Sequence, residues 1–132
     1  MKYLGIDYGS KRIGLATSTD DGAMAFPYKV LEVKGRDAQE LVEEIMEVCI
    51  KENIQSVVVG ESKDFKGKDN AIMASIKEFM KEFRATCDIP ITTYPEFMTS
   101  QQAAFFQGEH AKIDASAAAI ILQSFLDAHK LS

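Results

Sequence analysis

Three consecutive valines, Val57-Val58-Val59, stand between two stretches of helical periodicity, and this arrangement narrows the fold more than any other feature of the chain. A strand with one face in water alternates apolar and polar residues, whereas an unbroken apolar run is expected of a strand covered on both faces. Ahead of the valines, Ala38, Leu41, Val42, Ile45, Val48 and Cys49 make a helical stripe that Asp37 is placed to cap. Behind them, past a polar loop from Glu61 to Lys68, comes a second stripe of Ile72, Ile76, Phe79, Met80 and Phe83, with Asp69 or Asn70 as its cap. Helix, doubly buried strand, helix is the repeat of an α/β sheet with helices on both faces. Crossovers of this kind make the later strands parallel to their neighbours, with right-handed connections.

The first third of the chain has a different rhythm. Tyr3 to Asp7 is a short strand, Tyr8 to Arg12 a turn around Gly9, and Ile13 to Thr19 a second strand whose residues alternate. Asp20-Asp21-Gly22 turns again, and Ala25 to Val33 supplies a third strand, which Pro27 assigns to a sheet edge. After the second helix, Ile89 to Tyr94 is a further strand. Thr99 then caps a helix through Phe106 that ends near Gly108, and Asp114 opens a last helix with Ala117, Ala118, Ile121, Leu122 and Phe125 facing inward. The expected fold is α/β: a mixed five-stranded sheet, a three-strand antiparallel meander followed by αβα units, with helices on both faces.

At 132 residues, 46% of them hydrophobic, residues 1–132 are expected to form a single domain with a sufficient core, needing neither disulfide nor structural metal. Cys49 and Cys87 form no CxxC pair; Cys49 reads as core, and a reducing, cytoplasmic setting is expected. His110 and His129 are isolated and read as surface or capping residues. No apolar stretch approaches a membrane span, and Lys2 leads into a run interrupted by Gly5 and Asp7, unlike a signal peptide, so no membrane partner is expected. The net charge of -5 gives no overall attraction for nucleic acid and leaves that task to a local basic patch.

Chemistry in open α/β sheets gathers at the carboxyl ends of strands, and Asp7, Glu61 and Glu96 each stand at or just past such an end. The richest segment is Gly5-Ile6-Asp7-Tyr8-Gly9-Ser10-Lys11-Arg12-Ile13-Gly14-Leu15-Ala16. An acid closing a buried strand is costly unless it is paired, hydrogen-bonded or bound to a cation. Gly5, Gly9 and Gly14 keep side chains away from it, which suits close approach of a phosphate or a metal-bound ligand. A plain hairpin with Asp7 accepting backbone N–H groups is the competing reading.

These residues resemble the opening of the YqgF, or Holliday-junction-resolvase-like, family of the ribonuclease H-like superfamily. Asp7 to Gly14 looks like its D-x-G-x-x-R-x-G signature, and Val58-Val59-Gly60 followed by Gly67 resembles its V-V-G-L-P-x-x-x-D-G block. Glu96-Phe97-Met98-Thr99-Ser100 with Ala103 resembles D-E-R-L-T-[ST], and Asp114 to Gln123 resembles D-x-x-A-A-x-x-I-L-Q. The four blocks follow in order over nearly the full length. The resemblance implies a ribonuclease H-like sheet and a catalytic, metal-holding set of Asp7, Glu96 and Asp114. It also implies Mg²⁺ or Mn²⁺ as cofactor and nuclease activity on structured RNA or branched DNA, notably in 16S ribosomal RNA maturation, with a resolvase-like role. Carboxylates suit such ions, which keep several waters and can ready one for attack on a phosphodiester. In the wider superfamily a ligand acid commonly ends the strand after the first helix, which implies Glu61 as a further ligand.

Each residue has a plainer reading. Glu61 pairs with Lys63 or Lys66 in a solvated loop, Glu96 shapes the turn before Thr99, and Asp114 is only an N-cap. Lys11, Arg12, Lys63, Lys66 and Lys68 are either a phosphate-binding rim or ordinary loop charges. The chain departs from the family pattern at Pro95-Glu96-Phe97, where the flanking Asp and the Arg are missing; at Glu61-Ser62, in place of Leu-Pro; and at Lys66, in place of Asp. Phe cannot clamp a phosphate as Arg does. These departures motivate an alternative, a non-catalytic domain of the same fold that binds nucleic acid or protein. An actin-like or sugar-kinase phosphate loop is the remaining reading of Gly5 to Ser10, and it requires a second domain. Either a monomer or a homodimer fits the sequence.

Overall fold

A computed structural model describes residues 1–61, 71–95 and 110–130, with side chains in the last of these segments described from 117 to 129. The strands are β1 (Tyr3–Tyr8), β2 (Arg12–Ser18), β3 (Ala25–Glu32), β4 (Ser56–Glu61) and β5 (Ile91–Pro95). The helices are α1 (Ala38–Glu52), α2 (Ala71–Thr86) and α3 (His110–Lys130). They form one five-stranded sheet in the order β3-β2-β1-β4-β5. β1 pairs antiparallel with β2, and β2 with β3, while β1–β4 and β4–β5 are parallel. This is the mixed α/β sheet that the sequence pattern predicts.

The local chemistry explains the elements. Pro27 does lie on an edge strand, where its missing N–H leaves no central ladder broken. The pairing of β2 with β3 slips between Leu15 and Ala16, which face Lys29 and Pro27, so Tyr28 is the extra residue of a bulge. The Asp37 carboxylate accepts the Glu40 N–H at 2.9 Å and caps α1. At the other end Asn53 adopts the left-handed conformation (φ 57°), and its N–H reaches the carbonyls of Cys49 and Ile50.

The valine run resolves as expected. Val57, Val58 and Val59 are all fully buried, with Val57 and Val59 on one face of the sheet and Val58 on the other. On the first face α1 and α2 cover Leu4, Ile6, Ile13, Leu15, Val57 and Val59, with Ile45, Ile76, Phe79 and Phe83 contributed by the helices. On the second face, among the described elements, α3 lies across β1, β2 and β3, and Ala118, Ile121, Leu122 and Phe125 pack on Ala16 and Val58.

One expectation is corrected. Asp114 does not open the last helix: α3 already begins at His110, which puts Asp114 in its second turn and leaves the first turn without an acid. The inward stripe that the sequence shows begins only at Ala117, whereas Ala111 and Lys112 are of residue types that favour helix. The expected caps at Asp69 or Asn70 and the expected helix from Thr99 to Phe106 lie outside the described residues.

Candidate active site

Because β1, β4 and β5 are parallel, their carboxyl ends, at Tyr8, Glu61 and Pro95, share one rim of the sheet. β1 is the central strand, and Asp7 is its penultimate residue, half-buried and paired across the ladder with Gly14 of β2. The pleat assigns its face. Leu4, Ile6 and Tyr8 enter the core under α1 and α2, whereas Tyr3, Gly5 and Asp7 point to the α3 side.

Helix α3 runs antiparallel to β1. Tyr3 meets Phe125 ring to ring at 5.6 Å, and Gly5 lies beneath Ala118 and Leu122. Two residues of strand advance about 6.6 Å and four residues of helix about 6 Å, so the two elements keep pace. The step from Gly5 to Asp7 is therefore matched by the step from the 118–122 turn of α3 to its 114–118 turn.

The glycines near Asp7 have structural occupants rather than open space, which corrects the expectation of a ligand cradle at Gly5 and Gly9. A Cβ on Gly5 would stand 2.7 Å from Leu122 Cβ and 3.1 Å from the Ala118 carbonyl oxygen. A Cβ on Gly9 would meet the Arg12 carbonyl oxygen at 2.6 Å, and that carbonyl accepts the Gly9 N–H at 3.0 Å to close the turn. Gly5 thus admits a helix, and Gly9 makes the hairpin.

Glu61 ends β4 as expected, but the pleat carries it to the face opposite Asp7. It follows Val57 and Val59 on the α1/α2 side, and its Oε1 accepts the Thr93 Oγ1–H at 2.9 Å. Lys11 and Arg12 are exposed just after Asp7, on the hairpin that β3 steadies through the Val33 N–H bond to the Lys11 carbonyl. Glu96, Lys63, Lys66 and Lys68 lie outside the described residues, and of Asp114 only the backbone is described. Among the described residues no three His, Cys, Asp or Glu side chains gather as a metal site. Carboxylate oxygens are the donors that hard cations such as Mg²⁺ or Mn²⁺ prefer. His129 belongs elsewhere: its Nδ1 is 2.9 Å from the Phe125 carbonyl, near the end of α3 far from Asp7.

Two side chains, one on each face of the sheet, carry structural roles that hydrophobic patterning does not show. Thr93 holds Glu61. Gln123 ties α3 to the start of β3: its Oε1 accepts the Ala25 N–H at 2.8 Å, and its Nε2 donates to the Ala23 carbonyl at 3.2 Å and to Asp127 Oδ1 at 2.9 Å. The only hint in the sequence is a polar residue following directly on the inward Ile121-Leu122 pair.

Comparison with known proteins is consistent along the whole chain. Residues 1–128 match the model of a family described as RuvX, Holliday junction resolvase. A protein of Maridesulfovibrio salexigens named "Putative pre-16S rRNA nuclease" is 34% identical over 96% of this chain and 98% of its own. One of the same name from Caldanaerobacter subterraneus is 33% identical, with 100% of both chains covered. Among solved structures, Thermus thermophilus RuvC superposes with a TM-score of 0.64 at 18% identity, covering 98% of this chain and 96% of that one. Fowlpox virus resolvase, solved with Holliday junction DNA, gives 0.63 at 12% identity, covering 98% and 99%. These two likenesses establish a shared fold.

Proposed function

The chain belongs to the RuvX Holliday junction resolvase family, and from that membership we propose that it is a divalent-metal-dependent nuclease that cuts phosphodiesters in structured nucleic acid. The relatives' name makes the precursor of 16S ribosomal RNA the first substrate to test, and branched DNA the second. Asp7, Glu96 and Asp114 would hold Mg²⁺ or Mn²⁺. The single observation that supports this most is the position of Asp7. It is a half-buried carboxylate at the carboxyl end of the central strand, beneath the turn of α3 that starts at Asp114.

When bound, the cation supplies an activated water and stabilises the departing oxygen. Asp7 fixes one side of the site from a rigid strand, and α3 brings Asp114 from above. Glu96 is the next residue in sequence after Pro95, the last of β5. Lys11 and Arg12, exposed beside Asp7, receive backbone phosphates and set the register of the substrate without reading its bases. Lys63, Lys66 and Lys68, which follow β4 in sequence, would add to that contact. Glu61 is the weakest candidate ligand, since Thr93 engages its carboxylate on the other face. No described helix is long and apolar enough to cross a membrane, and we place the activity in the cytoplasm.

The test is cleavage of a pre-16S leader helix and of a four-way DNA junction, with Mn²⁺, by the wild type and by Asp7→Asn. A metal contributes several kcal/mol of charge stabilisation, so cleavage should fall roughly a hundredfold or more. Equal cleavage by the variant refutes the assigned site. Binding without cleavage by the wild type favours the non-catalytic reading that Pro95-Glu96-Phe97 suggests.

A further inference from the structure

Helix α3 meets the sheet through a contact that needs the absence of a side chain, and the Gln123 amide adds a polar clamp to it. Gly5 allows Leu122 Cβ and the Ala118 carbonyl to lie so close over β1 that any Cβ there would overlap them. Neither obstacle is the far end of a flexible side chain. Both belong to the helix framework, so a methyl group at residue 5 can be relieved only by moving the helix outward. Gln123 controls a different coordinate. Its amide accepts from Ala25 N and donates to Ala23 O, two backbone groups of the segment entering β3. Apolar contacts alone are non-directional and resist sliding weakly, whereas a side chain that bonds two fixed backbone groups resists it directly.

We propose that Gly5 and Gln123 are positioning residues for the metal site: Gly5 sets the height of α3 above β1, Gln123 sets its slide along the sheet, and together they hold Asp114 opposite Asp7. The proposal rests on the reading of Asp7 and Asp114 as ligands given above. Its geometry is the matched pace of strand and helix. The glycine contact lies one helical turn from the level of Asp7, and Gln123 lies within a further turn. An error of helix placement at either point passes undiminished to Asp114, because an α-helix is stiff over such a length.

The experiment measures Mn²⁺ affinity calorimetrically, without nucleic acid, for the wild type, Gln123→Ala, Gly5→Ala, Asp7→Asn and Ile45→Val. Ile45 of α1 is fully buried on the opposite face, and its variant controls for simple loss of stability. All are compared below their melting temperatures, with kcat and KM determined separately on the RNA substrate. Removing groups that orient ligands typically costs ten- to a hundredfold in metal affinity, so Gln123→Ala should lose about tenfold, with kcat reduced and KM for the nucleic acid unchanged. Gly5→Ala should lose at least as much, and Ile45→Val nothing. Should Gly5→Ala not fold, Gln123→Ala decides alone. Wild-type affinity and kcat in Gln123→Ala, alongside lost binding in Asp7→Asn, overturns the positioning roles and leaves the site standing. Undiminished Mn²⁺ binding by Asp7→Asn overturns the site, and the positioning roles with it.

Discussion

The two faces of this sheet are packed by opposite strategies. Under α1 and α2 the contact surface is made of large side chains: Phe79 and Phe83 are fully buried, with Tyr8 5.4 Å from Phe79 ring to ring. Under α3 small residues, Gly5, Ala16, Gly60, Ala118 and Ala119, stand among Ile121, Leu122 and Phe125, and at Gly5 the helix comes close to the strand backbone. Large interdigitated side chains bury area and stabilise. Close backbone contact buries less per residue and fixes position more tightly. The acid of the central strand faces the second kind of packing. One face of the molecule holds the fold together, and the other sets distances.

The contrast can be broken most forcefully at Phe79. Phe79→Ala should cost about 3–5 kcal/mol of stability by urea denaturation, yet leave Mn²⁺ affinity unchanged wherever the protein is still folded. On the other face, Ala118→Leu overfills a tight contact and should cost about 1–3 kcal/mol while weakening Mn²⁺ binding as well. If both variants change stability alone, the two faces do not differ in kind. A milder case is Gly60→Ala: the new Cβ would stand 2.5 Å from Ile121 Cδ1, a terminal methyl that can rotate away, so its effect on Mn²⁺ affinity should be smaller than that of Gly5→Ala. Asp37→Ala, at the start of α1, should cost about 1 kcal/mol through its lost cap and leave metal binding alone.

The subtlest contrast is in pH dependence and concerns the α1/α2 face. Burial, and then the Cys87 thiol, pushes the Cys49 thiol up to about 12, and burial, with Glu78 second, raises Tyr8 above its ordinary 10.0. Raised acids are held protonated by the folded state. Their contribution is therefore complete below the ordinary values and is lost as pH climbs, from about 9 to 12 for Cys49 and above 10 for Tyr8. Melting temperature should fall through that alkaline window, and less steeply in Cys49→Ala. In the native protein near neutral pH, iodoacetamide should label the partly exposed Cys87 and spare the buried Cys49.

Much of the architecture was legible because it is written in side-chain period and turn chemistry. The valine run, the Asp37 cap and the edge proline each state a local requirement that only one arrangement meets. The start of α3 is not legible in the same way: the inward stripe begins only at Ala117, and Asp114 ahead of it reads as a cap, whereas the helix begins at His110. The glycines were recognised as places where space matters, but a sequence cannot tell whether that space admits a ligand or a helix; Gly5 and Gly9 are filled by the protein itself. Glu61 shows a similar limit. Its place at a strand end could be read, whereas the face it points to depends on the register of a pleat extending to Thr93. Gln123 spans 98 residues of sequence to reach Ala25, a pairing that no local pattern encodes.

The most direct test of the account is anomalous diffraction from crystals of the wild type soaked in Mn²⁺. The account predicts manganese bound by the carboxylate of Asp7 together with those of Glu96 and Asp114, on the α3 side of the sheet. Manganese bound elsewhere, or an Asp7 carboxylate without metal in a crystal whose other sites are filled, would contradict it.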